Sequence, residues 1–191
     1  MDGRPAPLLS VSPTNIVIQI PWEAKTGSAH NLSLPDTASP FAGQLSRVLG
    51  LSKSAGQFWP DPDGSRSFIH QDFSGPVSLK SPARPGEILH LYATGLGAVT
   101  PPVGDGQPGP LDPLSTMESP VSVTWCAETF TPETTGALFA GLAPGLVGIE
   151  QVDVRVPDSL PAPTAGLNLL QMTVSFGSCS YPGGPTVLIQ P

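Results

Sequence analysis

Proline and glycine punctuate this chain from end to end, 25 and 21 of its 191 residues, and they confine it to short elements. Proline lacks the amide hydrogen that a helix interior or a sheet ladder needs, and glycine enters turn conformations without steric cost. Between these breaks lie runs in which apolar and polar residues alternate, the period-two pattern of strands with one covered face. Val, Ile and Leu are abundant in the runs, which separates the chain from disordered sequences of low hydrophobicity and high net charge. The expected fold class is all-β, with Pro and Gly at the turns.

Alternation is clearest in "NIVIQIP" (Asn15 to Pro21), where Ile16, Ile18 and Ile20 share a side, and in "EQVDVRVP" (Glu150 to Pro157), where Val152, Val154 and Val156 do. The two read as copies. Each has an amide residue before the alternation (Asn15, Gln151), ends in proline and follows a Pro-containing turn, so the chain is expected to hold two related modules. Further strands are expected at "EILHLYAT", "PVSVTWC", "GALFAGL", "LNLLQMTVSF" and "TVLIQP", and their spacing reads as one antiparallel β-sandwich over residues 82–191. Residues 1–35 hold too few strands to complete a second one. This partial module would leave an open sheet edge, which invites pairing with another chain. Residues 36–81 read as a linker region; Phe41, Leu45, Val48 and Leu49 fall at helical spacing there, which points to a short helix around Ala42 to Leu49, although the glycines nearby count against it.

The net charge is −7 and only eight Lys and Arg are scattered along the chain. No basic stripe is available to neutralise phosphates, so no nucleic-acid partner is expected. No apolar run approaches the roughly 20 residues of a membrane helix, and the first twenty residues lack the pattern of a signal peptide. Neither membrane insertion nor self-directed export is expected of the sequence as it stands.

"YATGLGAVTPP" places Gly95 and Gly97 after a strand in the manner of a dinucleotide turn, but Thr100 stands where the third glycine belongs, and Pro101 and Pro102 forbid the helix whose amides would hold the phosphates. The glycines are expected to close a tight strand-end turn instead. His30, His70 and His90 are the chain's histidines. His70 stands close to Asp72, yet no H-x-x-x-H or C-x-x-C spacing accompanies any of them, so no metal site is assigned. His90 alternates with Leu89 and Leu91 and reads as a strand residue facing away from the core. Asp61, Asp63 and Gly64 begin like a calcium loop but lack its closing glutamate, and read as a turn. No G-x-S-x-G elbow is present, and no catalytic residue or cofactor is assigned. Trp22 and Trp59, in loops, are the candidate ligand-binding residues, since an indole face can stack on a sugar; covering the ends of a sandwich is the commoner use. Cys126 and Cys179 each follow an alternating strand, and are read with equal weight as a disulfide or as two separate thiols.

"PARPGEILHLYATGLGAVTPPVGDGQPGP" with "LFAGLAPGLVGIEQVDVRVPDSLPA" resembles the Solibacter-type C-terminal domain family of exported acidobacterial proteins, and "DGRPAPLLSVSPTNIVIQIPWE" is similar to a segment lying upstream in that family. The resemblance implies an immunoglobulin-like sandwich, in the style of IPT/TIG modules, placed outside the cell or in its envelope as part of a larger bacterial protein, with no catalytic residues. The sequence departs from the family in lacking the strands and signal peptide that usually precede "GRPAPLL", and in an atypical stretch from Asp36 to Asp72. The expected role is a non-catalytic structural or adhesive accessory module; the alternative is a carbohydrate-binding module serving a secreted enzyme. Its expected partners are other domains of the parent protein or a protein that donates a strand, with polysaccharide in the alternative.

Overall fold

The computed structural model describes residues 1–25, 27–33, 46–50, 57–58, 68–127, 130–159, 168–176, 179–180 and 186–189. Every regular element among them is a strand. The chain opens with a hairpin, β1 (Leu8–Val11) and β2 (Ile16–Ile18), turned by Ser12 to Asn15, where the Asn15 amide donates to Ser12 Oγ at 2.9 Å. A second antiparallel pair follows, β3 (Ala29–Ser33) with β4 (Ser46–Gly50).

The alternating runs then build two larger sheets. β5 (Gln57–Phe58), β6 (Phe68–His70), β7 (Ile88–Thr94), β8 (Val99–Thr100) and β9 (Thr116–Met117) lead into β10 (Val121–Ala127) and β11 (Phe130–Gly136). β12 (Phe139–Leu142), β13 (Glu150–Arg155), β14 (Asn168–Phe176), β15 (Cys179–Ser180) and β16 (Thr186–Ile189) complete the chain. One sheet runs β5-β7-β13-β12-β9-β8 with β6 also on β7; the other runs β11-β10-β14-β15 with β16 also on β14. All these pairings are antiparallel.

A single apolar cluster takes side chains from both sheets: Leu89, Leu91, Val152 and Val154 from β7 and β13, Val121, Val123 and Trp125 from β10, and Ile189 from β16. The alternation in "EILHLYAT" and "EQVDVRVP" puts these residues on one face, and burying each stabilises the fold by about 1.5–3 kcal/mol. Trp125 is fully buried in this cluster, its indole N–H without a partner among the described residues.

Four features differ from the sequence expectation or fall outside it. The helix expected around Ala42 to Leu49 is contradicted where the chain is described: Ser46–Gly50 is β4, because pairing along the whole of β3 outweighs a few helically spaced residues. β5 and β6 lie within the segment read as a linker, and both pair with β7, with Phe68 buried in the core. On β2 the polar Gln19 that follows is buried, whereas Ile16 and Ile20 are exposed. The fourth concerns the cysteines. Cys126 lies opposite Gln171, and Cys179 opposite Phe176, five positions further along β14. That offset separates their backbones by about 17 Å along the strand at ~3.4 Å per residue, whereas a disulfide needs Cα atoms within about 7 Å. Protein denatured without reductant should therefore titrate two thiols per chain; finding none would refute this register.

Candidate functional site

The three histidines, the groups most able to do chemistry near neutral pH, each hold two parts of the chain together. His30 on β3 donates from Nδ1 to Asp2 Oδ2 at 2.6 Å, its Nε2 faces the Lys25 carbonyl at 2.7 Å, and the Asn31 amide donates to Asp2 Oδ1 at 2.8 Å. The bond to Asp2, aided by the Lys25 carbonyl, raises the His30 pKa above its ordinary value; the same bond, aided by the Asn31 amide, lowers that of Asp2. The clamp is therefore strongest between the two unfolded values. It weakens as pH falls through the lowered Asp2 pKa or rises through the raised His30 pKa.

His90 on β7 faces away from the core, as its alternation requires, and is nevertheless buried. Its Nδ1 meets Asp153 Oδ1 of β13 at 2.6 Å, and Phe73 stacks on the ring with centroids 4.4 Å apart. Phe73 holds a φ of +57° to do so, in a turn where the Ser74 amide donates to Asp72 Oδ1 at 2.9 Å. Hydrogen bonds from Ser74 keep the Asp72 carboxyl below its usual range. Asp72 is thus a turn residue, and the partner of His70 is Glu87.

His70 brings together the most suggestive set of groups. Its Nδ1 lies 2.7 Å from Glu87 Oε1, and its Nε2 lies 3.1 Å from Ser81 Oγ. The Arg84 amide fixes the other Glu87 oxygen at 2.9 Å. Serine, imidazole and carboxylate in series match the reach of a nucleophile, its base and an orienting acid. The surroundings oppose that use. Nε2 lies equally close, 3.1 Å, to the Ser81 carbonyl oxygen, which can only accept; a hydrogen placed there leaves Nε2 unable to take the Ser81 proton. The Ser81 amide, a natural donor to an oxyanion, is already bonded to the Ser78 carbonyl at 3.1 Å. The cluster ties the turn at Ser78–Ser81 to β6.

The glycine turn after β7 does cradle an anion, and the anion belongs to the chain. Gly95 (φ +78°) and Gly97 (φ +134°) bend the backbone so that the Leu96 amide donates to Glu150 Oε2 at 3.0 Å, with the amides of Gly97 and Gly95 also facing the carboxylate. Such concave amide arrangements favour negative charge. Burial opposes it more strongly, and the Glu150 pKa is pushed up to about 7. Nothing in the sequence spacing singled out Glu150. The signal it does carry is an acid opening an apolar strand, with a Gly-x-Gly turn elsewhere in need of an acceptor.

Of the tryptophan pair, Trp59 lies outside the described residues, as do Asp61, Asp63 and Gly64. Trp22 is 39% exposed, and its amide donates to Asp105 Oδ1 at 2.9 Å. It stands at the base of the β1–β2 hairpin, whose apolar residues are exposed. Leu8 (59%), Val11 (64%), Ile16 (40%) and Ile20 (44%) are exposed there, with Leu9 and Val17 beside them. From Pro5 to Trp22 no residue carries a charge. The base of this projection is fixed: the Gln19 amide donates to the Pro7 carbonyl at 2.9 Å, and Gln19 Oε1 accepts from the Gly106 amide at 2.7 Å. A side chain at Gly148 would meet Gln19 Cγ at 3.1 Å, so this glycine leaves room for the anchor.

Among the described residues no three His, Cys, Asp or Glu gather as a metal site. Comparison with protein-family models, curated proteins and solved structures finds no match to this chain.

Proposed function

We propose that this chain is a non-catalytic structural or adhesive module of an exported or cell-surface bacterial protein, built on an immunoglobulin-like sandwich, which engages a protein partner through its N-terminal hairpin. The observation that carries the reading is the apolar, uncharged β1–β2 hairpin held out from an anchored base. Two strands alone are marginally stable in water, and apolar patches of this kind mark interaction surfaces. The His–carboxylate pairs and the cradled Glu150 support it, because they commit the polar groups to holding loops on the sheets. The extracellular setting rests on the family resemblance alone.

The test is sedimentation velocity of the purified chain together with limited proteolysis. Wild type should associate with rising concentration or be cut within residues 1–35, and Leu8→Lys/Ile16→Lys should suppress association. A protease-resistant monomer at all concentrations would count against the reading. The alternative, carbohydrate binding, draws on exposed Trp22; it requires a polysaccharide-dependent change in tryptophan fluorescence that Trp22→Ala reduces.

A further inference from the structure

β2 and β13 are strands of one kind in two settings. "NIVIQIP" and "QVDVRVP" align residue for residue, and each strand has an antiparallel hairpin partner before it, β1 and β12. β13 takes β7 along its other edge, with Val154 opposite Leu89 and Val152 opposite Leu91. Its Val152, Val154 and Val156 are 0%, 1% and 0% exposed. β2 has no second neighbour among the described residues, and the equivalent Ile16 and Ile20 are open to solvent. The same pattern is covered in one copy, where the valines pack against Val121, Val123 and Trp125 of the other sheet and β7 closes the ladder edge, and bare in the other.

Sheet edges left free in monomers are guarded by charge, proline or a covering element. This edge carries no charged residue, and Gln19 at its base is hydrogen-bonded to Gly106, which reduces the ordering a partner must impose. We propose that the open edge of β2 receives an extended β-strand from a separate β-domain, added antiparallel as β7 is added to β13. This rests on the interaction-module reading above. The occupant is specified by β7 itself: apolar residues at alternate positions like Leu89, Leu91 and Ala93, uncharged opposite Ile16 to Ile18. Main-chain bonds would supply affinity and the apolar positions specificity.

The experiment uses the full chain and a fluorescein-labelled peptide of the β7 sequence, GEILHLYATG, flanked by lysines for solubility. Two further peptides carry N-methyl groups at alternate residues, each blocking one edge of the strand. Fluorescence anisotropy should show the plain peptide binding and one of the methylated pair binding at least about tenfold more weakly. Ile16→Lys/Val17→Lys, at exposed positions, should weaken the plain peptide by at least about tenfold while leaving the urea midpoint unchanged; Leu79→Lys, an exposed site outside the hairpin, should not. Equal binding of all three peptides would overturn strand addition in favour of apolar adhesion. A wild-type dimer that the peptide does not dissociate would mean that the edge is closed by a second copy, which also overturns it. Absent peptide binding with an associating or protease-sensitive hairpin would refute the strand while sparing the module reading; absent binding with a resistant monomer would refute both.

Discussion

Gly141→Ala is expected to destabilise the protein by about 3 kcal/mol or more, at the upper end for a single added methyl group. Gly141 lies in β12 between Gln151 of β13 and Thr116 of β9. A Cβ at that position would sit 2.1 Å from the Ser115 carbonyl oxygen and 3.0 Å from the Phe139 ring. The obstacle is backbone, which cannot rotate aside as a side chain could. Ser115 O also accepts the Leu142 amide at 3.0 Å, so forcing the strands apart breaks that bond and loosens β8 and β9 from the sheet. Gly136→Ala is the control: nothing lies within 4 Å of its added carbon, and it should change stability by no more than about 0.5 kcal/mol. Urea midpoints of the two variants decide the matter. Similar midpoints would mean that β9 does not press against β12 as described.

The second large effect concerns Glu150 and reads out as a slope against pH. Its carboxyl titrates at about 7 when folded and from an ordinary 4.5 when unfolded. Between those values the folded state binds more protons, so stability falls as pH rises through the window and levels off above it. At 1.36 kcal/mol per unit the loss is about 3 kcal/mol. Glu150→Gln keeps an oxygen for the Leu96 amide and cannot ionise. It should match wild type near pH 4.5 and exceed it by up to about 3 kcal/mol at pH 8, in urea unfolding at the two pH values. The His30 clamp also weakens with rising pH, but its loss begins only above 6.5 and is common to wild type and Glu150→Gln, so it cancels in the difference between them. Parallel pH profiles for wild type and Glu150→Gln would refute the buried, cradled carboxylate.

The strands were legible where covered and uncovered faces alternate. "EILHLYAT" became β7, "EQVDVRVP" β13 and "LNLLQMTVSF" β14, nearly to the residue, because period-two patterning reports the sheet directly. Alternation states which residues share a face. It does not state whether anything covers that face, which is why Ile16 and Ile20 read as core and stand exposed while Gln19 is buried by the Gly106 loop. The polar assignments were harder for a similar reason. His70 finds Glu87, His90 finds Asp153 and Leu96 finds Glu150 across long stretches of chain, and such pairings are products of strand order. Sequence proximity pointed to Asp72 for His70, and a local turn had already claimed it.

The anchor of the hairpin has a mechanical meaning. A partner pulling on the β1–β2 tip would load Trp22–Asp105 and Gln19–Gly106 first, and through them the segment bonded at Gly109 to Gly145 and Leu146, on the approach to β13. Those few contacts act in series, whereas the ladder bonds of β13 share a load in parallel. The joint should yield before the core does, so that strain from a bound partner would lift the hairpin away on its covalent tether and leave the domain intact.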